Sequence, residues 1–176
     1  MNQELLQRLN EQIALEIHSA QIYLEMAAYF NDEGLDGMGN WMYYQHLEEM
    51  NHAMKIWHHL TERGERPQML GIERPMNEFD GVMDVWAKAL EHEKFITKQF
   101  DEMMKIAMDN QEYKSFTMLQ WFVDEQVEEE DTFGGIVDQL NWSECSKPAV
   151  MQMNNSMAAR TYSPMPDGLI PTGGEE

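Results

Sequence analysis

Acidic side chains interrupt the apolar seams of four helical segments. Each segment is apolar when it is read at alternating spacings of three and four residues, the pattern of a buried helix face. The interruptions are Glu16 in the first segment, Glu49 and His52 in the second, Glu93 in the third, and Gln126 and Glu129 in the fourth. Glu49-Met50-Asn51-His52 is a Glu-x-x-His pair, and residues three apart share one helix face. Carboxylates and an imidazole on converging faces predict a metal site.

The cost of burying these acids also favours a metal. An isolated buried charge is unfavourable by several kcal/mol, and like charges add repulsion. Proton sharing, basic partners or metal ions would each relieve this cost, but the seams contain no lysine or arginine. Two divalent ions would balance four carboxylates. A donor set rich in oxygen, with one imidazole and no thiolate, suits iron(II) or manganese, and zinc would bind as well.

The elements that must position these residues are predicted to be helices. Breakers fall at few places, and the periodicity between them is helical. We predict helices over residues 3–30, 38–63, 81–109 and 112–140, with Asp80 as a cap of the third. A shorter fifth helix is predicted over residues 147–160, with Pro148 in its first turn. The Pro- and Gly-rich residues 163–176 are expected to form an extended or disordered tail.

The lengths of the connections predict the topology. Short links make helices one and two, and helices three and four, antiparallel neighbours. The connection over residues 65–79 contains Pro67, Gly71 and Pro75, and at about 50 Å when extended it can run the length of the bundle. Along their helices, Glu16 and Glu49 lie roughly 21 and 17 Å from their shared turn. The chain is therefore predicted to be all-α: a four-helix bundle over residues 1–142 with one long crossover, followed by a short C-terminal helix region over residues 143–162.

Composition excludes several functional classes. The 176 residues include 12 Lys+Arg against 32 Asp+Glu, a formal net charge of −20. This balance argues against nucleic acid and anionic membranes as partners and favours cations. A single cysteine, Cys145, excludes an intramolecular disulfide framework. The N-terminus does not read as a signal peptide, and no apolar run is long enough to span a membrane, so we expect a cytoplasmic protein.

Four stretches resemble the bacterial and archaeal non-haem ferritins. They are Leu-Asn-Glu-Gln-Ile-Ala-Leu-Glu ending at Glu16, His46-Leu-Glu-Glu-Met-Asn-His52, His92-Glu93, and Trp121-Phe-Val-Asp-Glu-Gln-Val-Glu-Glu-Glu130. The resemblance covers roughly residues 3–142. It implies a ferritin-like fold and an iron-storage ferroxidase that oxidises iron(II) with oxygen or peroxide and stores iron(III) as a mineral. It also implies a homo-oligomeric hollow shell of 24 subunits.

The resemblance assigns roles residue by residue. Glu16, Glu49 and His52 resemble the tighter iron site, and Glu49 and Glu93 would bridge or flank a second iron. Gln126 and Glu129 complete that region, and Tyr23 matches a tyrosine beside the iron centre. A third iron site is implied off the seam. Its acids would be Glu48, Glu125, Glu128 and the shared Glu129.

Departures from the pattern keep alternatives open. Bacterioferritins carry Glu-x-x-His where this chain has Gln126-Val-Glu-Glu129, and a neutral amide is a poor ligand, so the second ion should be held loosely. Met50 stands where bacterioferritins carry a haem-ligating methionine, although non-haem ferritins often have methionine there too, so haem is not expected. A haem-containing relative, a di-iron enzyme with another substrate and a non-enzymatic scaffold are the alternatives. For Glu48, Glu125 and Glu128, a solvated acidic face is the simplest competing interpretation.

Overall fold

The structure is a computed structural model, and it describes residues 1–161. The described residues form five helices and no strands. The helices are α1 (Gln3–Asp32), α2 (Asp36–Glu62), α3 (Val82–Asp109), α4 (Tyr113–Trp142) and α5 (Lys147–Met157). The predicted all-α fold is therefore confirmed, with helix ends displaced by at most three residues. The predicted tail over residues 163–176 lies outside the described residues, and the division of the chain at residues 142 and 162 stays a prediction.

Local sequence determines where α1 begins and where α1 and α2 end. At the start of α1, the Asn2 side chain accepts a hydrogen bond from the Leu5 amide at 3.0 Å. Gly34 follows α1 with φ +73° and Gly64 follows α2 with φ +74°, a left-handed conformation that glycine adopts without strain. After α1, the Leu35 amide donates to the Phe30 carbonyl at 2.8 Å, closing a Schellman motif. The chain therefore turns sharply there, and α2 returns antiparallel to α1.

Two predicted details of the helix ends are wrong. Asp80 does not cap α3, because the N-cap is Gly81. Instead, the Asp80 backbone amide donates to the Asp84 carboxylate at 2.9 Å, so a side chain in the first turn of α3 binds the preceding loop. The fifth helix ends at Met157 and does not reach Arg160. The amides of Ala159 and Arg160 donate to carbonyls three residues earlier, a tightened last turn from which the chain leaves the helix.

The core consists of two apolar clusters at different levels of the bundle. One contains Tyr23, Phe30, Trp86 and Phe133, and the other contains Leu9, Ile56, Phe100 and Phe122 together with their neighbours. The helices pack as the pairs α1–α2 and α3–α4, joined through α1–α3, while α5 packs on α2. The interrupting acids lie between the two clusters in sequence on every long helix. The apolar layers on both sides therefore keep water from the acidic layer.

No helix among residues 1–161 is both long and apolar enough to cross a membrane.

Candidate metal centre

All six residues that interrupt the predicted seams are buried. The exposed fractions of Glu16, Glu49, His52 and Glu93 are 0, 3, 4 and 1 %. Gln126 and Glu129 are exposed by 3 and 8 %. Each of the four long helices contributes at least one of them, so the inward faces that the sequence pattern predicted do converge. The metal-binding roles of these residues stay a prediction.

Glu16, Glu49 and His52 form a compact group of possible ligands. One ligand atom from each lies within 4.8 Å of the others. The Nδ1 atom of His52 is 3.4 Å from Oε2 of Glu49 and 3.7 Å from Oε2 of Glu16. The Oε1 atom of Glu16 accepts a hydrogen bond from the Gln12 amide at 2.6 Å, whereas its buried Oε2 atom accepts none. A buried carboxylate oxygen with a free lone pair beside an imidazole nitrogen fits a divalent cation.

Glu93, Tyr23 and Gln126 form a second group next to the first. The Tyr23 hydroxyl donates to Oε1 of Glu93, and the Gln126 amide donates to Oε2 of Glu93 at 3.0 Å. The Gln126 amide also lies 3.3 Å from the backbone carbonyl of Glu93. Both carboxylate oxygens of Glu93 are therefore held by protein donors, and a metal would have to share this carboxylate with them.

Gln45 links the two helix pairs across this layer. Its side-chain amide donates to Oε1 of Glu129 at 2.8 Å and reaches Oε1 of Glu49 at 3.3 Å. Glu129 on α4 is thereby joined to the ligand group on α1 and α2. Gln45 is itself fully buried. The amide brings two acids from different helices together without adding a charge.

The acids of the layer hold protons that ordinary surface acids release. Burial raises the pKa of Glu93 to about 8 and that of Glu129 to about 7. Burial also raises the pKa of Glu49 well above its ordinary value, despite the opposing effect of His52. Burial alone would lower the pKa of His52, but Glu49 and Glu16 raise it well above 6.5. Protons therefore compete with cations for this site.

Glu16 and Tyr23 behave differently from the other members of the layer. Burial would raise the pKa of Glu16, but hydrogen bonding and the charge of His52 outweigh it, so the pKa is lowered. Burial and the nearby Glu93 carboxylate raise the pKa of the Tyr23 hydroxyl well above 10. Glu16 is therefore the carboxylate of the layer that is ionised most readily, and Tyr23 remains a hydrogen-bond donor near neutral pH.

The three acids predicted off the seam lie at the edge of the layer. Glu48 and Glu125 are partly buried, and Glu128 is exposed. Burial first, and then the charges of Glu128 and Glu48, raise the pKa of Glu125, so the three acids are close enough to influence one another. Glu48, however, forms an ion pair with Arg160 at 2.5 Å. We call Glu48, Glu125, Glu128 and the shared Glu129 the outer acids.

Three residues of the site were missing from the sequence-based set. Gln12 donates to Glu16, Gln45 donates to Glu129, and Arg160 pairs with Glu48. A signal for the glutamines was available, because each stands four residues before a predicted ligand, Gln12 before Glu16 and Gln45 before Glu49. No local pattern pointed to Arg160, because its role depends on how α5 packs on α2.

The donor set fits a hard or borderline divalent cation. Glu16 and Glu49 offer oxygens, His52 offers a nitrogen, and Glu93 and Glu129 offer further oxygens in the same layer. Such oxygen-rich sets with imidazole suit iron(II), manganese and zinc. A glutamate from each of two helices, with paired ligands from the other two, is the arrangement of carboxylate di-metal sites in ferritin-like bundles.

Comparison with known proteins identifies the class to which this fold and layer belong. The family model described as the ferritin-like domain matches residues 6–142. The chain therefore belongs to the ferritin-like family. The matched range contains α2 to α4 entire and all but the first residues of α1, and it includes every acid of the layer.

Particular relatives are bacterial and archaeal. The chain is 36 % identical to the bacterial non-heme ferritin of Campylobacter jejuni over 140 residues, covering 80 % of this chain and 84 % of that protein. It is 33 % identical to the bacterial non-heme ferritin of Staphylococcus haemolyticus over 162 residues, covering 92 and 98 %. Among solved structures, the open-pore ferritin of the archaeon Archaeoglobus fulgidus superposes with a TM-score of 0.89 at 37 % identity, covering 92 % of this chain and 99 % of that chain.

Proposed function

We propose that this protein is an iron-storage ferritin with ferroxidase activity. Iron(II) is the substrate, and dioxygen or hydrogen peroxide is the oxidant. The product is iron(III), which is stored as a mineral inside a hollow homo-oligomer. The likeness to bacterial non-heme ferritins over most of the chain supports the storage role, and the buried acidic layer supports the oxidation.

One observation carries the proposal. Oε2 of Glu16 is buried without a hydrogen-bond donor and lies 3.7 Å from Nδ1 of His52. Among residues 1–161, no ion pair joins a lysine or arginine to Glu16, Glu49 or Glu93. His52 is one basic group beside the two carboxylates of Glu16 and Glu49. A buried carboxylate oxygen that accepts no hydrogen bond is costly unless a further cation binds it.

We assign the tighter iron position to Glu16, Glu49 and His52. Glu49 and Glu93 would bridge or flank a second iron, and Glu129 and Gln126 would complete that position. Gln126 would hold its ion weakly, because a neutral amide is a poor ligand and its nitrogen already donates to Glu93. Weak binding of the second ion favours iron that moves onward over iron kept as a permanent cofactor.

The oxidation balances without any other cofactor. Each of two iron(II) ions loses one electron, and dioxygen takes up two electrons and two protons to leave as hydrogen peroxide. When peroxide is the oxidant, the same two electrons and two further protons convert it into two waters. The protein contributes by holding two cations close together in a dry layer and by exchanging protons at carboxyls of raised pKa.

Storage requires a cavity, which one chain alone does not enclose. We propose that the chain assembles as a homo-oligomeric shell of 24 subunits, as its resemblance to ferritins implies, and that this shell lies in the cytoplasm. The net charge of −20 would attract iron(II) toward the shell. The outer acids would take a third iron on its way between the di-iron layer and the mineral.

Aerobic iron loading tests the function. Iron(II) added to the apoprotein should give soluble iron(III) at many ions per subunit, followed by absorbance and by iron analysis after gel filtration. Glu16→Ala and Glu49→Ala should abolish fast oxidation while light scattering reports an unchanged assembly. Glu62→Ala, an exposed glutamate at the end of α2, is the matched control. Uptake that stops at two irons per subunit would contradict storage, and native-like oxidation in both variants would contradict the site.

A further inference from the structure

Arg160 reaches from the C-terminal segment onto one face of α2. Its guanidinium lies 4.1 Å from the ring centre of Trp41 and donates to the Trp41 carbonyl at 3.1 Å. The Nη2 atom donates to Oε1 of Gln45 at 3.0 Å and to Oε2 of Glu48 at 2.5 Å. Residues 41, 45 and 48 follow the spacing of a single helix face. One guanidinium therefore contacts three successive positions beside the acidic layer.

The packing of α5 brings Arg160 to this place. The Asn154 side chain on α5 accepts a hydrogen bond from the Met38 amide, in the first turn of α2, at 3.0 Å. Gly37 lets the two backbones approach closely, since a Cβ at this position would lie 1.8 Å from the Asn154 carbonyl. The Asn40 side chain in turn donates to the Arg160 carbonyl at 3.2 Å. These contacts fix the segment and, with it, the guanidinium.

The partners of Arg160 belong to the candidate metal centre. Glu48 is one of the outer acids, and Gln45 donates to Glu129, another of them. A guanidinium is a permanent cation whose planar donors suit carboxylates. A metal ion that uses Glu48 would have to displace it. Arg160 and an outer metal ion therefore compete for one carboxylate.

We propose that Arg160 is a positioning residue that controls occupancy of the outer acids, by withholding Glu48 from metal ions while the C-terminal segment is packed on α2. Release of the segment frees Glu48 and opens the outer position, whereas its return displaces the ion. The C-terminal segment thereby controls how readily iron leaves the buried layer. This inference rests on the proposed function of the layer, but it concerns the outer acids, which share only Glu129 with that layer.

Zinc titration of the assembled apoprotein tests the inference without any redox step. Calorimetry separates zinc ions bound by the buried layer from a weaker ion bound by the outer acids. Arg160→Gln should strengthen binding of the weaker ion about five- to tenfold, because a partly buried, charge-assisted pair no longer competes. Arg160→Lys keeps the charge but loses the planar fork, and it should give a smaller gain. A gain in affinity is a result that mere damage to the fold does not produce.

Two further variants act as controls. Arg8→Gln removes one positive charge from an exposed pair with Glu102 elsewhere on the surface, and it should leave the affinity unchanged. Adding Glu48→Gln to Arg160→Gln should cancel the gain. If Arg160→Gln fails to assemble, Arg160→Lys alone carries the test.

The inference is overturned if neither Arg160 variant strengthens binding of the weaker ion, or if Arg8→Gln strengthens it equally. The proposed function fails by a different signal, namely the absence of zinc from the buried layer of the native protein.

Discussion

The Nδ1 atom of His52 lies 3.4 Å from Oε2 of Glu49, one turn earlier on α2. The ring is held at this position by edge contacts with Trp121 and Phe122 on α4. The pair is buried, and Glu16 from α1 closes the third side. Glu49 and Glu16 raise the pKa of His52 well above 6.5 although burial alone would lower it, so the imidazole keeps its proton near neutral pH. A cation would take the place of that proton.

Removing either member of the pair should weaken metal binding severely. We expect His52→Gln and Glu49→Gln to reduce zinc affinity of the buried layer by roughly 100-fold or more, since even a residue that only orients a ligand contributes about 10- to 100-fold. Isothermal titration of the apoprotein measures the change. His58, on the same helix, provides the control variant His58→Gln, whose retention of native affinity is expected. Equal affinities in His52→Gln and the native protein would remove His52 from the ligand set.

The buried glutamines should matter although they carry no charge. Gln45→Leu removes the donor to Glu129 and Glu49, and we expect iron(II) oxidation to slow by about 10- to 100-fold through loss of ligand orientation. Stopped-flow absorbance measures the rate. Gln120 donates to Asp124 at 3.0 Å with the same spacing of four residues on an exposed surface. Gln120→Leu is therefore a matched control, and similar slowing in both variants would contradict a specific role for Gln45.

The Tyr23 hydroxyl should help to keep Glu93, in the proposed second metal position, deprotonated. Its hydrogen bond favours the ionised form of Glu93, so Tyr23→Phe should raise the Glu93 pKa above its native value of about 8. Binding of the second zinc ion should then weaken at pH 6.5 and recover at a pH above the new value. Calorimetry at the two pH values measures this difference. Tyr43→Phe changes an exposed ring and should have no effect; a pH-independent loss in Tyr23→Phe would indicate a packing defect instead.

Without metal, the stability of the protein should fall as the pH rises from about 5 to about 8.5. The pKa values of Glu93 and Glu129, about 8 and about 7, exceed the unfolded value of 4.5, so the native state binds more protons in this range. The free energy of unfolding then decreases with pH. His52 acts in the same direction, since its stabilisation is complete below pH 6.5 and is lost as the pH passes its raised pKa. Glu16 has the opposite sign, but its lowered pKa places that effect below pH 4.5.

Thermal unfolding of the apoprotein at several pH values measures this dependence. Zinc should raise the Tm most at high pH, because binding competes with fewer protons there. Glu93→Gln should flatten the slope of the apoprotein, whereas Glu91→Gln, an exposed neighbour on α3, should not. A Tm of the native apoprotein that rises steadily across the range would contradict the assigned protonation of the layer.

The sequence predicted the bundle and the acidic layer well because both depend on periodicity. Glu16, Glu49, Glu93 and Glu129 stand in phase with apolar residues on long helices, and a residue in phase with a buried stripe is itself buried. The depth of each acid follows from the rise per residue and the positions of the turns at Gly34 and at Asn110-Gln111. Periodicity and helix rise are therefore enough to predict four interruptions at one level of the bundle.

The parts that sequence missed depend on contacts between segments far apart in the chain. Aspartate is a residue type that often caps helices, but here the Asp80 backbone amide donates to the Asp84 carboxylate. Residue propensity does not determine whether the Asp80 side chain or the Asp84 side chain forms the local hydrogen bond. The sequence predicts that Arg160 continues the fifth helix. In the structure the helix ends at Met157, close to where Asn154 packs on Gly37, and the turn that follows directs the Arg160 side chain to Glu48. The pairing of residues 48 and 160 is a tertiary contact without a local signature.

Anomalous diffraction from crystals soaked in zinc is the most direct measurement of the central claim. We expect an ion bound by Glu16, Glu49 and Nδ1 of His52, with a zinc–nitrogen distance of about 2.0–2.1 Å. Anomalous signal confined to surface acids, with no ion within reach of Oε2 of Glu16, would contradict it.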